Sequence, residues 1–139
     1  MTDAFSGNGG ARLHRVILAS LGGFEEIEQV ILFGSLARGA ARSDSDIDVA
    51  VEATTPLSAQ RKMAMMEALA LASSRPVDLV DLRTAGQPLL SQIVTTGQRL
   101  KGSDAAWARL IYRNIIDNED FVPLQQRILR ARQAAWINS

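Results

Sequence analysis

Apolar positions along this chain fall into two periods. Leu13, Val16, Ile17 and Leu21, with Ala19 fitting less well, recur at helical spacing and predict a first amphipathic helix, stopped by Gly22-Gly23. Val30-Ile31-Leu32-Phe33 is a run of strand formers that ends abruptly at Gly34-Ser35. Leu36 to Ala41 predicts one or two helical turns. Ile47, Val49 and Val51 then alternate with Asp46, Asp48 and Ala50, the period of a strand. Thr55-Pro56 opens a long helix over about Leu57 to Ala72, and Pro76 marks the turn into a short strand over Val77 to Leu82. Pro88 suits the start of a helix through Leu89, Leu90, Ile93 and Val94 that Gly97 closes. Gln98 to Gly102 predicts a brief edge strand. Trp107, Leu110, Ile111 and Ile115, and then Phe121, Leu124, Ile128, Ala131 and Ala135, predict two closing helices. The expected fold class is α/β: a small mixed sheet flanked by helices, with a C-terminal helical hairpin. Residues 1–10 read as a flexible leader, 11–102 as the core, and 103–139 as a helical extension of the same compact domain.

Composition narrows the chemistry. A chain of 139 residues can bury one core without a disulfide or structural metal. The absence of cysteine excludes disulfides, a thiol nucleophile and thiolate metal sites, and is compatible with a reducing cytoplasm. Lys plus Arg and Asp plus Glu both total 15, so there is no basic excess for direct nucleic-acid binding. No apolar run approaches the roughly 20 residues of a membrane-spanning helix. The start of the chain lacks the basic and apolar regions of a signal peptide.

The informative stretch is Phe33 to Val51. Side chains two apart on a strand share a side, so Asp46 and Asp48 stand together with Cβ atoms roughly 6–7 Å apart. Ile47, Val49 and Val51 point the other way, into the core. Paired carboxylates repel unless a cation lies between them, and magnesium suits a few carboxylates supplemented by phosphate oxygens and water. A strand ends in Gly34-Ser35, and a ten-residue gap separates that pair from Asp46. Gly34 lets a phosphate approach the backbone. Ser35 opens a short helix whose N–H groups favour an anion, and its hydroxyl can bond the terminal phosphates. Arg38 and Arg42 can add charge. A cradle plus paired carboxylates points to metal-assisted phosphoryl or nucleotidyl transfer, with two magnesium ions serving the attacking and leaving oxygens. Asp78 is the preferred third carboxylate and a candidate general base. Asp81 has the opposite parity, so the two cannot face one ion on a regular strand.

Each feature also has an ordinary reading. Gly34-Ser35 alone is a common turn, and Asp44 suits a capping role in its Ser-Asp-Ser context. Met63, Met65 and Met66 read as core filler. His14 is the one histidine and has no partner set for a metal. Trp107, Tyr112 and Trp136 suit a helical core. The stripe Val122, Leu129 and Trp136 is separate from Phe121, Leu124 and Ile128, which predicts that a partner or a second copy, as in a homodimer, covers one face. Arg109, Arg113, Arg127, Arg130 and Arg132 would suit an acidic rim on that partner.

Gly34-Ser35, the ten-residue gap, Asp46-x-Asp48 and the later Asp78 resemble the DNA polymerase β nucleotidyltransferase superfamily. More narrowly, the chain from about Leu13 to Lys101 resembles the minimal nucleotidyltransferases, the MNT proteins. Position 43, often proline in that family, is Ser43 here. The resemblance implies a polymerase-β-like fold, ATP as substrate and magnesium as cofactor. It also implies the antitoxin branch, MntA of the HepT–MntA type. There, AMP passes from ATP to a tyrosine hydroxyl of a HEPN-domain ribonuclease toxin and neutralises it. Two other readings remain open: an antitoxin acting by docking alone, and a nucleotidyltransferase for a small-molecule hydroxyl such as an aminoglycoside.

Overall fold

The computed structural model describes residues 8–37, 39 and 45–137, with side chains described for 10–37, 39, 45–118, 130 and 132. In order, the elements are α1 (Asn8–Leu21), β1 (Ile27–Phe33), α2 (Gly34–Ala37), β2 (Ile47–Ala53), α3 (Ala59–Ser73), β3 (Val77–Asp81), α4 (Leu89–Thr96), β4 (Gln98–Lys101) and α5 (Asp104–Ile137). Helix α1 begins at Asn8, inside the stretch expected to be a leader.

The four strands form one mixed sheet in the order β3-β2-β1-β4. Strand β1 runs antiparallel to β2 and β4, whereas β2 and β3 are parallel. A parallel pair needs a crossover, and α3 supplies it. Its start is fixed by Ser58, whose side chain accepts a hydrogen bond from the Arg61 N–H at 3.1 Å.

Strand parity divides the core into two layers. Val30, Leu32, Ile47, Val49, Val51 and Leu79 pack with Ile17 and Leu21 of α1 and with Met65 and Leu69 of α3. Ile31, Phe33 and Ala50 face the other way, with Leu90 and Ile93 of α4 and Leu110 of α5. Each fully buried side chain of this kind contributes about 1.5–3 kcal/mol relative to exposure. Met63 departs from the core-filler reading: it is exposed, while Met65 is buried.

The expected C-terminal hairpin is absent, because 104–137 is one helix of 34 residues. The seam read between Ile115 and Phe121 consists of Asp117-Asn118-Glu119-Asp120, with no glycine to reverse the chain. Pro123 removes one intrahelical bond but does not force a reverse turn. Polar contacts hold α5 across the start of that seam. Asn114 Oδ1 accepts from Gln87 Nε2 and Ser91 Oγ, each at 2.8 Å, and Asn118 Nδ2 donates to Ser91 Oγ at 3.1 Å. The stripes at 121–136 that motivated a two-faced hairpin lie outside the described side chains.

Candidate active site

The register of the sheet sets the site. Phe33 pairs with Asp48 across β1 and β2, and Asp48 pairs with Asp78 across β2 and β3. Neighbours across a sheet share a face and lie about 4.8 Å apart at the backbone. Asp48 and Asp78 therefore stand side by side on the α4/α5 face. They occupy the row next to Ile31, Ala50 and Val80, which that layer buries. Asp48 is half-buried and Asp78 is exposed. Asp46 is exposed and precedes the first residue of β2.

Gly34 completes this row. It follows Phe33 directly and has φ +74°, in the left-handed region that favours glycine. A Cβ built there would run into the Asp48 carboxylate, 3.0 Å from its Cγ and 3.1 Å from its Cβ. Glycine is thus required twice over, by the backbone turn and by the aspartate packed against it. Ser35 sits half-buried in the single turn of α2, whose Leu36 and Ala37 anchor it in the α1/α3 layer. Gly34, Asp48 and Asp78 are brought together, with Ser35 and Asp46 adjoining them in sequence. Arg38 and Arg42 lie outside the described residues, as does Asp44.

Asp81 has a different environment. It is buried on the α1/α3 side. One carboxylate oxygen accepts from the Leu57 N–H at 2.9 Å and the other from the Arg83 N–H at 3.0 Å. Both oxygens are thereby committed to main chain, tying the start of the α3 region to the end of β3. In the register of β2 and β3, Asp78 lies beside Asp48, whereas Asp81 lies beside Val51.

Among the described residues, no group of three or more His, Cys, Asp or Glu forms a ready-made metal cage. The chemistry of the donors nevertheless suits magnesium, which commonly takes one or two carboxylates and completes its shell with water and substrate phosphate. A pocket of about 280 Å³ lies elsewhere, lined by residues that include Leu13, His14, Leu32, Leu36, Gly39 and Gln98. It opens on the α1 side of α2, and none of the three aspartates lines it.

Two side chains that sequence reasoning did not select touch the frame of the site. Arg75 Nη1 donates to the Ser45 carbonyl at 2.8 Å, and Gln98 Nε2 donates to the Ala37 carbonyl at 2.8 Å. Their partners are 30 and 61 positions away, so no local pattern marks them. Arg113, read as a candidate partner contact, instead donates to the Leu82 and Ala85 carbonyls. Trp107 packs in the α4/α5 layer, with the Arg99 guanidinium 5.1 Å from its ring centre. Tyr112, by contrast, is 68% exposed.

Residues 17–106 match the Polymerase beta, Nucleotidyltransferase family. The chain belongs to that family. As a polymerase beta nucleotidyltransferase it is similar to Protein adenylyltransferase MntA of Shewanella oneidensis, at 40% identity over 78 residues. That alignment spans 56% of this chain and 56% of the relative's length. Solved structures agree over more of the molecule. A toxin–antitoxin crystal structure with AMP-PNP matches at 30% identity and TM-score 0.69, covering 90% of this chain and 96% of the other. The MNT antitoxin bound to a tri-AMPylated HEPN toxin, also from Shewanella oneidensis, matches at 29% identity and TM-score 0.65, covering 92% and 96%.

Proposed function

We propose that this chain is an antitoxin adenylyltransferase that moves AMP from ATP to a tyrosine hydroxyl of a cognate HEPN ribonuclease toxin and thereby silences it. One observation carries the chemical half of the reading: Gly34, Asp48 and Asp78 are contiguous at one end of the sheet. The similarity to MntA and to antitoxins solved with AMP-PNP or with an AMPylated toxin supports the choice of nucleotide and acceptor. Residues 11–102 would perform the transfer, and 103–139 would serve as an extension toward the partner.

In this mechanism the Gly34-Ser35 turn receives the terminal phosphates of ATP. The Ser35 hydroxyl and nearby N–H groups donate hydrogen bonds to them. Arg38 and Arg42 are proposed to add positive charge from the same side. Asp46 and Asp48, with Asp78, would hold magnesium, which when bound supplies the positive charge that offsets the triphosphate and the attacking and leaving oxygens. Asp78 lies nearest the exposed side and accepts the proton of the tyrosine hydroxyl. The tyrosine oxygen forms a bond to the α-phosphorus, the bond from that phosphorus to the bridging oxygen breaks, and pyrophosphate leaves. The buried strands beneath keep the carboxylates in register, so little reorganisation is needed as the bond changes.

The test is incubation of the chain with labelled ATP, magnesium and the cognate toxin. Label should appear on the toxin with wild type and not with Asp46→Asn/Asp48→Asn. Equal labelling, or none in either case, would sink the reading. One observation favours a second reading. Tyr112, Ile115 and Ile116 are exposed at i, i+3 and i+4 spacing on α5, an apolar strip suited to docking. If the double aspartate variant protects cells as well as wild type, docking alone suffices.

A further inference from the structure

The side chains of Arg75 and Gln98 both end on backbone carbonyls at the margins of the candidate active site. Ala37 is the last residue of α2, the turn that carries Gly34 and Ser35. A four-residue helix cannot satisfy its own terminal carbonyls, so its orientation depends on bonds from outside. Gln98 supplies one. It opens edge strand β4, pairs with Leu32 of β1, and reaches past the end of that strand to the Ala37 carbonyl. Leu36 and Ala37 are buried below, so the turn is held by packing on one side and by this amide on another.

Ser45 immediately precedes Asp46. Its carbonyl accepts from Arg75, in the turn between α3 and β3. The Arg75 N–H itself donates to Ser73 Oγ at 3.2 Å, which steadies that turn. Next to it, the Ile47 N–H donates to the Pro76 carbonyl at 2.8 Å. These bonds pin the start of β2 to the start of β3, and so set Asp48 against Asp78, with Asp46 just ahead of the strand.

We propose that Gln98 and Arg75 are positioning residues with separate tasks: Gln98 orients the phosphate-binding turn, and Arg75 orients the carboxylates. Neither touches the reacting atoms in this scheme. Each acts on main chain, which moves every side chain attached to it. Displacements of about 1 Å in such a frame are enough to cost about a hundredfold in rate. The inference rests on the proposed transfer reaction for its site, but it makes claims about binding that do not require the toxin.

The experiment compares Gln98→Leu, Arg75→Leu and Arg75→Lys with wild type in full-length protein. ATP with magnesium is titrated by calorimetry, and Mn²⁺ is titrated in the presence of ATP by electron paramagnetic resonance. Melting midpoints and AMP transfer to the toxin at saturating ATP complete the set. Gln98→Leu should weaken ATP binding about five- to tenfold, the worth of one hydrogen bond, with the saturated rate within about twofold of wild type. Arg75→Leu should weaken Mn²⁺ binding and lower the saturated rate about ten- to a hundredfold, with ATP affinity nearly unchanged. Arg75→Lys, which keeps a donor and the charge, should recover most of both. Failure to fold, losses that track the melting midpoint, equal losses of ATP and Mn²⁺ binding in both leucine variants, or no loss in either would overturn the assignment. Absence of AMP transfer by wild type, with the two binding shifts intact, would sink the proposed function and leave the positioning roles standing.

Discussion

Asp78 and Asp81 sit three residues apart on one short strand and have opposite environments. Asp78 is exposed and aligned with Asp48, so two carboxylates share a face. Asp81 is buried, with each oxygen taken by a backbone N–H. The two main-chain bonds fix the Asp81 carboxylate in place on the α1/α3 side, away from Asp48, whereas Asp48 and Asp78 share a face where a cation would lower the repulsion between like charges. The same residue type serves architecture at one end of the strand and, at the other, stands where the proposed transfer needs a carboxylate.

That contrast can be broken by exchange of single groups. The largest effect is expected at Asp78: Asp78→Asn should lower AMP transfer to the toxin about 100- to 10,000-fold, the range for losing a general base, with an unchanged melting midpoint. Asp48→Asn should cost about 100- to 1,000-fold or more, for loss of charge stabilisation. If Asp78→Asn transfers normally while Asp81→Asn does not, the assignment of the two carboxylates is reversed. Asp81→Ala leaves the Leu57 and Arg83 N–H groups without their acceptor and should cost about 2–4 kcal/mol of stability by denaturant unfolding. Transfer per folded molecule should be retained. Gly34→Ala lies between the classes: the positive φ alone costs about 1–3 kcal/mol, and displacement of Asp48 should lower transfer as well.

The smallest effect concerns an exposed ion pair at the start of α3. Arg61 Nε and Nη2 donate to the two Glu26 oxygens at 2.7 and 2.9 Å, and the guanidinium lies 4.8 Å from the centre of the Phe24 ring. The bonds from Arg61 hold the Glu26 carboxyl below its ordinary 4.5. Its contribution is therefore present above that value and is lost as pH falls through the lowered one. Arg61→Gln should lower the melting midpoint slightly at pH 7, and the difference should shrink in acid below the ordinary Glu range. Solvent screening keeps the effect small. A difference that grew in acid would contradict the assigned direction.

Local pattern carried much of this molecule. The alternation of Ile47, Val49 and Val51 with Asp46 and Asp48 placed the strand and separated its apolar face from its acidic one. Apolar runs and the Gly34-Ser35 bend located β1 and the turn after it, because strand period and glycine's freedom at positive φ are properties of a few adjacent residues. The family could be read from the same stretch. The hairpin could not, because a polar interval in a helical sequence does not say whether the chain turns; contacts of Asn114 and Asn118 with another helix do. Met63 and Arg113 likewise took their exposure and partners from elements distant in sequence.

What the chain determined alone was therefore the parity of its strands, the bend before α2 and the set of acids available for chemistry. The fold decided which acids meet. Parity separates Asp78 from Asp81 but does not say which of them faces Asp48; that choice came from the parallel register of β2 and β3 and from the backbone groups waiting for Asp81. The Arg75 and Gln98 tethers belong to the same class. They are hydrogen bonds closed across 30 and 61 positions, and such contacts exist only once the sheet has brought their ends together.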